Sequence, residues 1–219
     1  MVLVAAACGS GGGTKTVTVT RTVTRTVAAP HRVEARIYLV RDGRVAPVDR
    51  VLWGTSERDL LQALGAGPTG AEGRAGLTTS HGDRLWLAQV VYTLSQFDPA
   101  RRVTYEGKTY TRTDFEDETP LILVESPLPF AHVTSPLHVT GTSDTYEATF
   151  DYDLVDAAGT LIAHHFVTAT SGSGTRGTFD FTVPFTVSQA EAVKLVVYEI
   201  SAASGRRVHQ SEIPLTLEP

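Results

Sequence analysis

Tyr146-Glu-Ala-Thr-Phe-Asp-Tyr-Asp-Leu154 alternates between two kinds of side chain. Tyr146, Ala148, Phe150, Tyr152 and Leu154 fall on one side of an extended chain, and Glu147, Thr149, Asp151 and Asp153 on the other. Successive side chains of a strand point to opposite faces, so the stretch reads as a strand with one face in a core and one in solvent. Phe179, Phe181 and Val183 repeat the pattern against Asp180 and Thr182. Working outward, strands are expected near residues 121–124, 137–140, 146–155, 160–168, 177–183, 193–201 and 207–217. Turn sequences separate them: Asp156-Ala-Ala-Gly159, Ser171-Gly-Ser-Gly174 and Ser204-Gly205. Short strands at this spacing predict a two-sheet β-sandwich over residues 121–219.

The preceding residues, 33–120, mix periods. Val33 to Val40 and Val45 to Trp53 read as strands joined by the turn Asp42-Gly43. Ser56 with Asp59 three residues on reads as a helix start close to a capping box, with Leu60, Leu61 and Leu64 on one face and Gly65 at the end. Gly67-Pro68-Thr69-Gly70 is a loop. It lacks the following Gly-Lys-Ser/Thr and helix of a phosphate-binding loop, so it is read as a structural turn. A second helix is expected from about Asp83, burying Trp86 or Leu87, Val90, Val91, Leu94 and Phe97 and stopping before Pro99. Val103 to Tyr110 reads as a hairpin around Glu106-Gly107.

Two family resemblances attach to these segments. Arg50, the Leu60–Leu64 helix, Gly67-Pro68-Thr69, Gly76-Leu77 and Leu87-Ala-Gln-Val-Val-Tyr-Thr-Leu94 resemble the GerMN domain of sporulation and spore-germination lipoproteins. That family places a strand pair between the Gly-Leu loop and the second helix. Here residues 78–84 are all that separate Leu77 from Leu85, so a smaller sheet is expected. Downstream, Glu125-Ser126-Pro127, Val133 to Gly141, Tyr146-Glu147-Ala148, Asp156 to Gly159, Phe166 to Ala169, Arg176 to Phe179, Val183-Pro-Phe185 and Tyr198 to Ser201 resemble the immunoglobulin-like domain of bacterial spore-germination proteins. The cysteine and tryptophan of antibody domains are missing from this segment. The expected fold class is therefore α+β: a shortened two-helix α/β GerMN-like domain at 33–120, then an all-β immunoglobulin-like sandwich at 121–219.

The first 32 residues read as processing signal and tether. Met1 to Ala7 is a short apolar run ending in small residues, and Cys8, the only cysteine, follows it directly. This resembles the lipobox of bacterial lipoproteins, which implies that residues 1–7 are residual signal peptide and that Cys8 is lipidated. The charged and apolar regions of such a leader are not among the seven residues before Cys8, so a start upstream of Met1 is expected. Gly9 to Gly13 is linker-like. Residues 14–27 alternate threonine with valine or a basic residue, and 8–32 is read as an extended stalk. About 20 extended residues reach roughly 65 Å.

Charge is unevenly placed. Residues 1–30 carry +3, and residues 125–219 hold four basic and eleven acidic residues, a net of −7. An overall −5 gives no chain-wide nucleic-acid footprint, and a single cysteine excludes a disulfide framework. Asp151 and Asp153 share a strand face, but on the solvated side, where neither a catalytic pair nor, with Glu147 and Asp180, a calcium site is favoured. His164 and His165 point to opposite faces and cannot share a metal, and His132 and His138 read as surface or core histidines. No Gly-x-Ser-x-Gly elbow occurs.

The expectation is thus a non-enzymatic, lipid-anchored extracytoplasmic protein, attached to the membrane through Cys8. It would have a protein partner in the cell envelope, no catalytic residues, no cofactor and no metal. The resemblances link it to sporulation, spore germination or cell-envelope assembly. The alternative is a cell-wall glycan or carbohydrate-binding module using Tyr146, Tyr152, Tyr198 and Trp53.

Overall fold

The computed structural model describes residues 32–219. The segment read as a signal-peptide remnant, Cys8, and nearly all of the segment read as a stalk lie outside that range. The described chain is mostly β, with few helices.

Strands β1 (Val33–Arg41) and β2 (Arg44–Leu52) form an antiparallel hairpin in register from Val33↔Leu52 to Arg41↔Arg44. Asp42 and Gly43 close it with φ of 51° and 73°, the paired left-handed conformation that matches strand twist. Helix α1 (Glu57–Gly65) starts at Ser56, whose side chain and that of Asp59 form the expected reciprocal cap. The Gly67–Gly70 turn is shorter than read, because Thr69 and Glu72 cap a one-turn helix, α2 (Gly70–Arg74). Helix α3 (Arg84–Leu94) is capped by Asp83. Phe97 lies beyond its end and is exposed, so it does not belong to the buried helical face assigned to it. The hairpin of β3 (Val103–Tyr105) and β4 (Lys108–Tyr110) follows, then a 3-10 turn at Arg112–Phe115.

The β1–β2 sheet has only two strands, which leaves one long edge of β1 without a strand partner. Helix α3 and the segments beside it supply the missing partners. The Arg36 N–H donates to Gln96 Oε1 at 2.7 Å, the Tyr38 N–H to Thr93 Oγ1 at 3.1 Å, and Gln89 Nε2 to the Tyr38 carbonyl at 3.0 Å. Val40 exchanges backbone bonds with Thr78. Gln89, Thr93 and Gln96 recur at helical spacing, so one line of polar side chains replaces a strand. This explains why every residue from Leu87 to Leu94 is buried although two of them are polar. Buried backbone groups must be paired, and at Tyr38 and Val40 both the N–H and the carbonyl are.

The second half is a sandwich. One sheet has the order β10 (Gly177–Val183), β7 (Leu137–Ser143), β5 (Ile122–Ser126). The other runs β6 (His132–Val133), β12 (Arg207–Leu217), β11 (Glu191–Ile200), β8 (Thr149–Asp156), β9 (Leu161–Thr168). Phe150, Tyr152, Leu154, Phe179 and Val183 are buried between the sheets, as the alternation requires. Tyr152 stacks on Phe181 at 4.9 Å. Gly141 lies opposite Phe179, and a Cβ there would stand 2.6 Å from that ring and 2.1 Å from the Leu123 carbonyl oxygen, so only glycine fits. One part of the opening stretch departs from the expectation. Tyr146–Ala148 is a 3-10 turn with φ of 53° at Glu147 and 58° at Ala148, and Tyr146 is exposed rather than inward.

Two hydrophobic clusters result, one built from residues 35–115 and one from residues 122–217. Strand β5 serves both. Ile122 and Val124 enter the sandwich cluster, while Leu123 enters the other. Glu125, the extra residue of a bulge against β7, extends the outward side. Its carboxylate accepts hydrogen bonds from Arg112 Nη1 at 2.9 Å and from the Tyr38 hydroxyl, with Arg36 Nη1 at 3.9 Å. Arg112 also donates to Ser95 Oγ and lies over the Tyr92 ring at 4.7 Å. Burial, and then the Glu125 charge, hold the Tyr38 hydroxyl far above the ordinary tyrosine range, so it stays a donor at all physiological pH values.

Replacing Thr93 by valine keeps the shape of the side chain and removes the acceptor for the Tyr38 N–H. The expected loss is about 1–3 kcal/mol of unfolding free energy, measured by urea denaturation. An unchanged midpoint would show that α3 does not serve as the partner of β1.

A charged cluster and an open edge as the candidate functional site

Strand β8 lies between β9 and β11 and carries the two aspartates singled out from the sequence. Asp153 is opposite His164 on one side and Val196 on the other, and Asp151 is opposite Phe166 and Tyr198. Both carboxylates leave the sandwich on its outer face, as their alternation with Phe150, Tyr152 and Leu154 dictates. Asp153 is nevertheless not solvated: its side chain is 8% exposed. His164 Nδ1 donates to its Oδ1 at 2.8 Å, the Tyr198 hydroxyl donates to the same oxygen at 3.1 Å, and Arg207 Nη2 reaches Oδ2 at 2.7 Å. The guanidinium of Arg207 lies 3.9 Å above the Tyr198 ring. Tyr198 is therefore buried on the outer face beneath an arginine, which removes it from the exposed aromatic residues.

The electrostatics follow from this geometry. Burial by itself raises the Asp153 carboxyl, but the bonds from His164, Tyr198 and Arg207 outweigh it and hold the group below the ordinary carboxylate range. The Tyr198 hydroxyl is pushed up to about 12 by burial first, and then by its bond to Asp153. At neutral pH the cluster is thus an ionised carboxylate whose lone pairs are taken by three donors. It fixes four strands of one face in register and is a poor proton acceptor.

The other candidates separate. His165 stands opposite Tyr152, on the other face from His164, as the strand geometry implied. His132 pairs with Glu218 at 2.7 Å, and His138 with Asp180 at 2.6 Å on the three-stranded sheet, so Asp180 is not gathered with Asp151 and Asp153. Glu147 sits in the 3-10 turn. Among the described residues, no three His, Cys, Asp or Glu residues are placed to hold a metal ion. Of the aromatic residues, Tyr152 is in the core, Tyr198 lies under Arg207, and Trp53 is in the other half with Arg32 at 5.0 Å from its ring. They form no common strip. A groove of about 680 Å³ lies along Thr140, Thr142 and Thr178, but its two arginines are already engaged, Arg112 by Glu125 and Arg176 by Glu116.

What the sequence reading did not single out is β9 as a surface. It is the last strand of its sheet. Leu161, Ile162 and Phe166 are exposed along it, and Tyr146 and Ile200 are exposed on neighbouring segments. The available signal was compositional: Leu161-Ile-Ala-His-His-Phe-Val-Thr168 holds no Lys, Arg, Asp, Glu or Pro, the residues by which natural edge strands discourage pairing.

Comparison with known proteins adds a family for the sandwich. Residues 121–206 match the family model described as the immunoglobulin-like domain of bacterial spore germination. Among solved structures, the chain is similar to CopC from Methylosinus trichosporium OB3b, with 19% identity and a TM-score of 0.28 over 45% of this chain and 94% of CopC. It is also similar to WR4, a C. elegans MSP family member, with 13% identity and a TM-score of 0.25 over 45% of this chain and 96% of WR4. No curated protein matches the chain.

The Asp153 cluster makes a pH-dependent contribution of definite sign. Its folded-state value lies below the unfolded value of about 3.9, so the stabilisation is present above that pH and is lost as pH falls through the folded value. Asp153→Asn is expected to cost about 1–3 kcal/mol at pH 7. The gap from the parent should narrow below about pH 4, followed by urea denaturation across pH. A gap independent of pH would remove the carboxylate's charge from the explanation.

Proposed function

We propose that the protein is a non-enzymatic, lipid-anchored extracytoplasmic scaffold that binds a protein partner, in spore germination, sporulation or cell-envelope assembly. The observation that carries this reading is the match of residues 121–206 to the immunoglobulin-like domain of bacterial spore germination, on a sandwich with an unguarded apolar edge. Cys8 supplies the anchor, residues 8–32 the stalk, and residues 33–120 a second, GerMN-like body. More than one acyl chain at Cys8 is needed for stable attachment, since a single chain binds membranes only marginally. The charge distribution supports the same arrangement, with +3 in residues 1–30 and −7 in residues 125–219.

The carbohydrate-binding alternative requires aromatic faces aligned for stacking. Of its four candidates only Tyr146 and Trp53 are exposed, one in each half of the chain, which favours protein contact over glycan contact.

Expressed in its native host, the parent is expected in the membrane fraction and to be released by detergent, with Cys8→Ser in the soluble fraction. A Cys8→Ser chain that remains membrane-bound and is processed like the parent would overturn the anchor. Retention of the full chain on purified peptidoglycan, with no cross-linked protein partner in the envelope, would replace the scaffold reading by the glycan one.

A further inference from the structure

We infer that the free edge of β9 is the docking site of that scaffold, and that its occupant is an extended, basic segment of the partner protein added as a further strand of the five-stranded sheet. The inference rests on the protein-binding reading above and specifies its site and chemistry.

Three observations place the site. First, β9 is hydrogen-bonded as a strand to β8 alone, so alternate backbone groups along Leu161–Thr168 face outward. The Phe166 N–H shows this directly: it donates to the imidazole Nδ1 of its own neighbour His165 at 2.8 Å, a local substitute for a cross-strand carbonyl. An incoming strand displaces that ring and takes the N–H. Second, the exposed side chains are the kind an added strand covers, with Phe166 61% and Ile162 36% exposed. Main-chain bonds then give affinity and the alternate side chains give selectivity. Third, two of the four sheet-end strands of the sandwich, β5 and β9, differ in what covers them. The first half of the chain covers the outer face of β5 at Leu123 and Glu125. At the β9 edge nothing among the described residues provides a strand.

Charge selects the occupant. Residues 125–219 carry eleven acids against four bases. Three of those bases are already paired, Arg176 with Glu116, Lys194 with Glu212 and Arg207 with Asp153. Asp151 is the cross-strand neighbour of Phe166, and Asp156 holds the turn into β9 through the Ala158 and Thr160 N–H groups. An added strand lies two strand spacings, about 10 Å, from β8, within reach of a long basic side chain toward Asp151. A second copy of the chain would bring a second −7 to the same edge, which disfavours self-pairing.

The test is amide hydrogen exchange on the detergent-solubilised full chain, with two synthetic peptides as probes: one alternating valine and lysine, one alternating valine and glutamate. The lysine peptide is expected to slow exchange at Phe166 by about tenfold or more, and the glutamate peptide to leave it unchanged. Ile162→Lys/Phe166→Lys is expected to abolish the protection with the thermal unfolding midpoint unchanged, since both positions are exposed. Equal protection by both peptides, protection mapping to another strand, or protection that grows with protein concentration without peptide would each overturn the proposal, the last by making the occupant a second copy. Photo-cross-linking in the envelope separates the two levels of the reading. Capture from a probe at Phe97, in the first half, but not from one at Phe166 would sink the β9 site and leave the scaffold. Capture from neither would sink both.

Discussion

Strand β5 has to satisfy two cores at once. Its first three residues alternate between them, Ile122 and Val124 facing the sandwich and Leu123 facing the helical half, and all three are buried. A strand buried on both faces cannot be shifted by one residue without exchanging its faces, and here either exchange would bury Glu125 in a hydrocarbon core. The bulge at Glu125 and the Arg112–Glu125–Tyr38 cluster fix that register. A buried ion pair contributes little net stability against a hydrophobic replacement, but breaking one partner of it costs about 3–5 kcal/mol. The cluster therefore acts mainly to specify one arrangement of the halves. Arg176 on Glu116 and Arg41 on the Glu212 carbonyl extend the same junction.

The functional consequence lies in the ends of the sheets. The outer face of β5 is covered by the chain itself, and the edge of β9 has no strand partner among the described residues. Between them, the Asp153 cluster ties β8, β9, β11 and β12 together on the outer face, so the open strand is presented by a rigid sheet. Rigidity matters because an edge that is already ordered does not lose that entropy on binding.

Much of this was legible in the residues. Period-two alternation found the strands, and Gly177–Val183 and Arg207–Leu217 have the bounds read from the pattern alone. The failures share a cause: the pattern counts side chains and is blind to partners remote in sequence. Tyr146 and Ala148 fit the alternation, yet left-handed backbone at Glu147 and Ala148 turns the chain out of the strand. Asp153 has the outward parity expected of it, yet Tyr198 and Arg207 arrive from strands more than forty residues away and bury it. In α3 the apolar positions marked the core face. The polar ones, Gln89 and Thr93, carry the finding that mattered, and only the missing strands at 78–84 hinted that β1 needed another partner.

The central claim is that β5 makes the two cores one cooperative structure. Both tryptophans, Trp53 and Trp86, lie in the first half, and the sandwich has none, so fluorescence reports on one core alone while far-UV circular dichroism is dominated by the strands of the other. Urea unfolding of the full chain followed by both signals is the most direct measurement. Coincident transitions with one midpoint are the expected result. A dichroism transition that persists beyond the loss of the tryptophan signal would contradict the account, showing the sandwich standing without the half that β5 is said to bind.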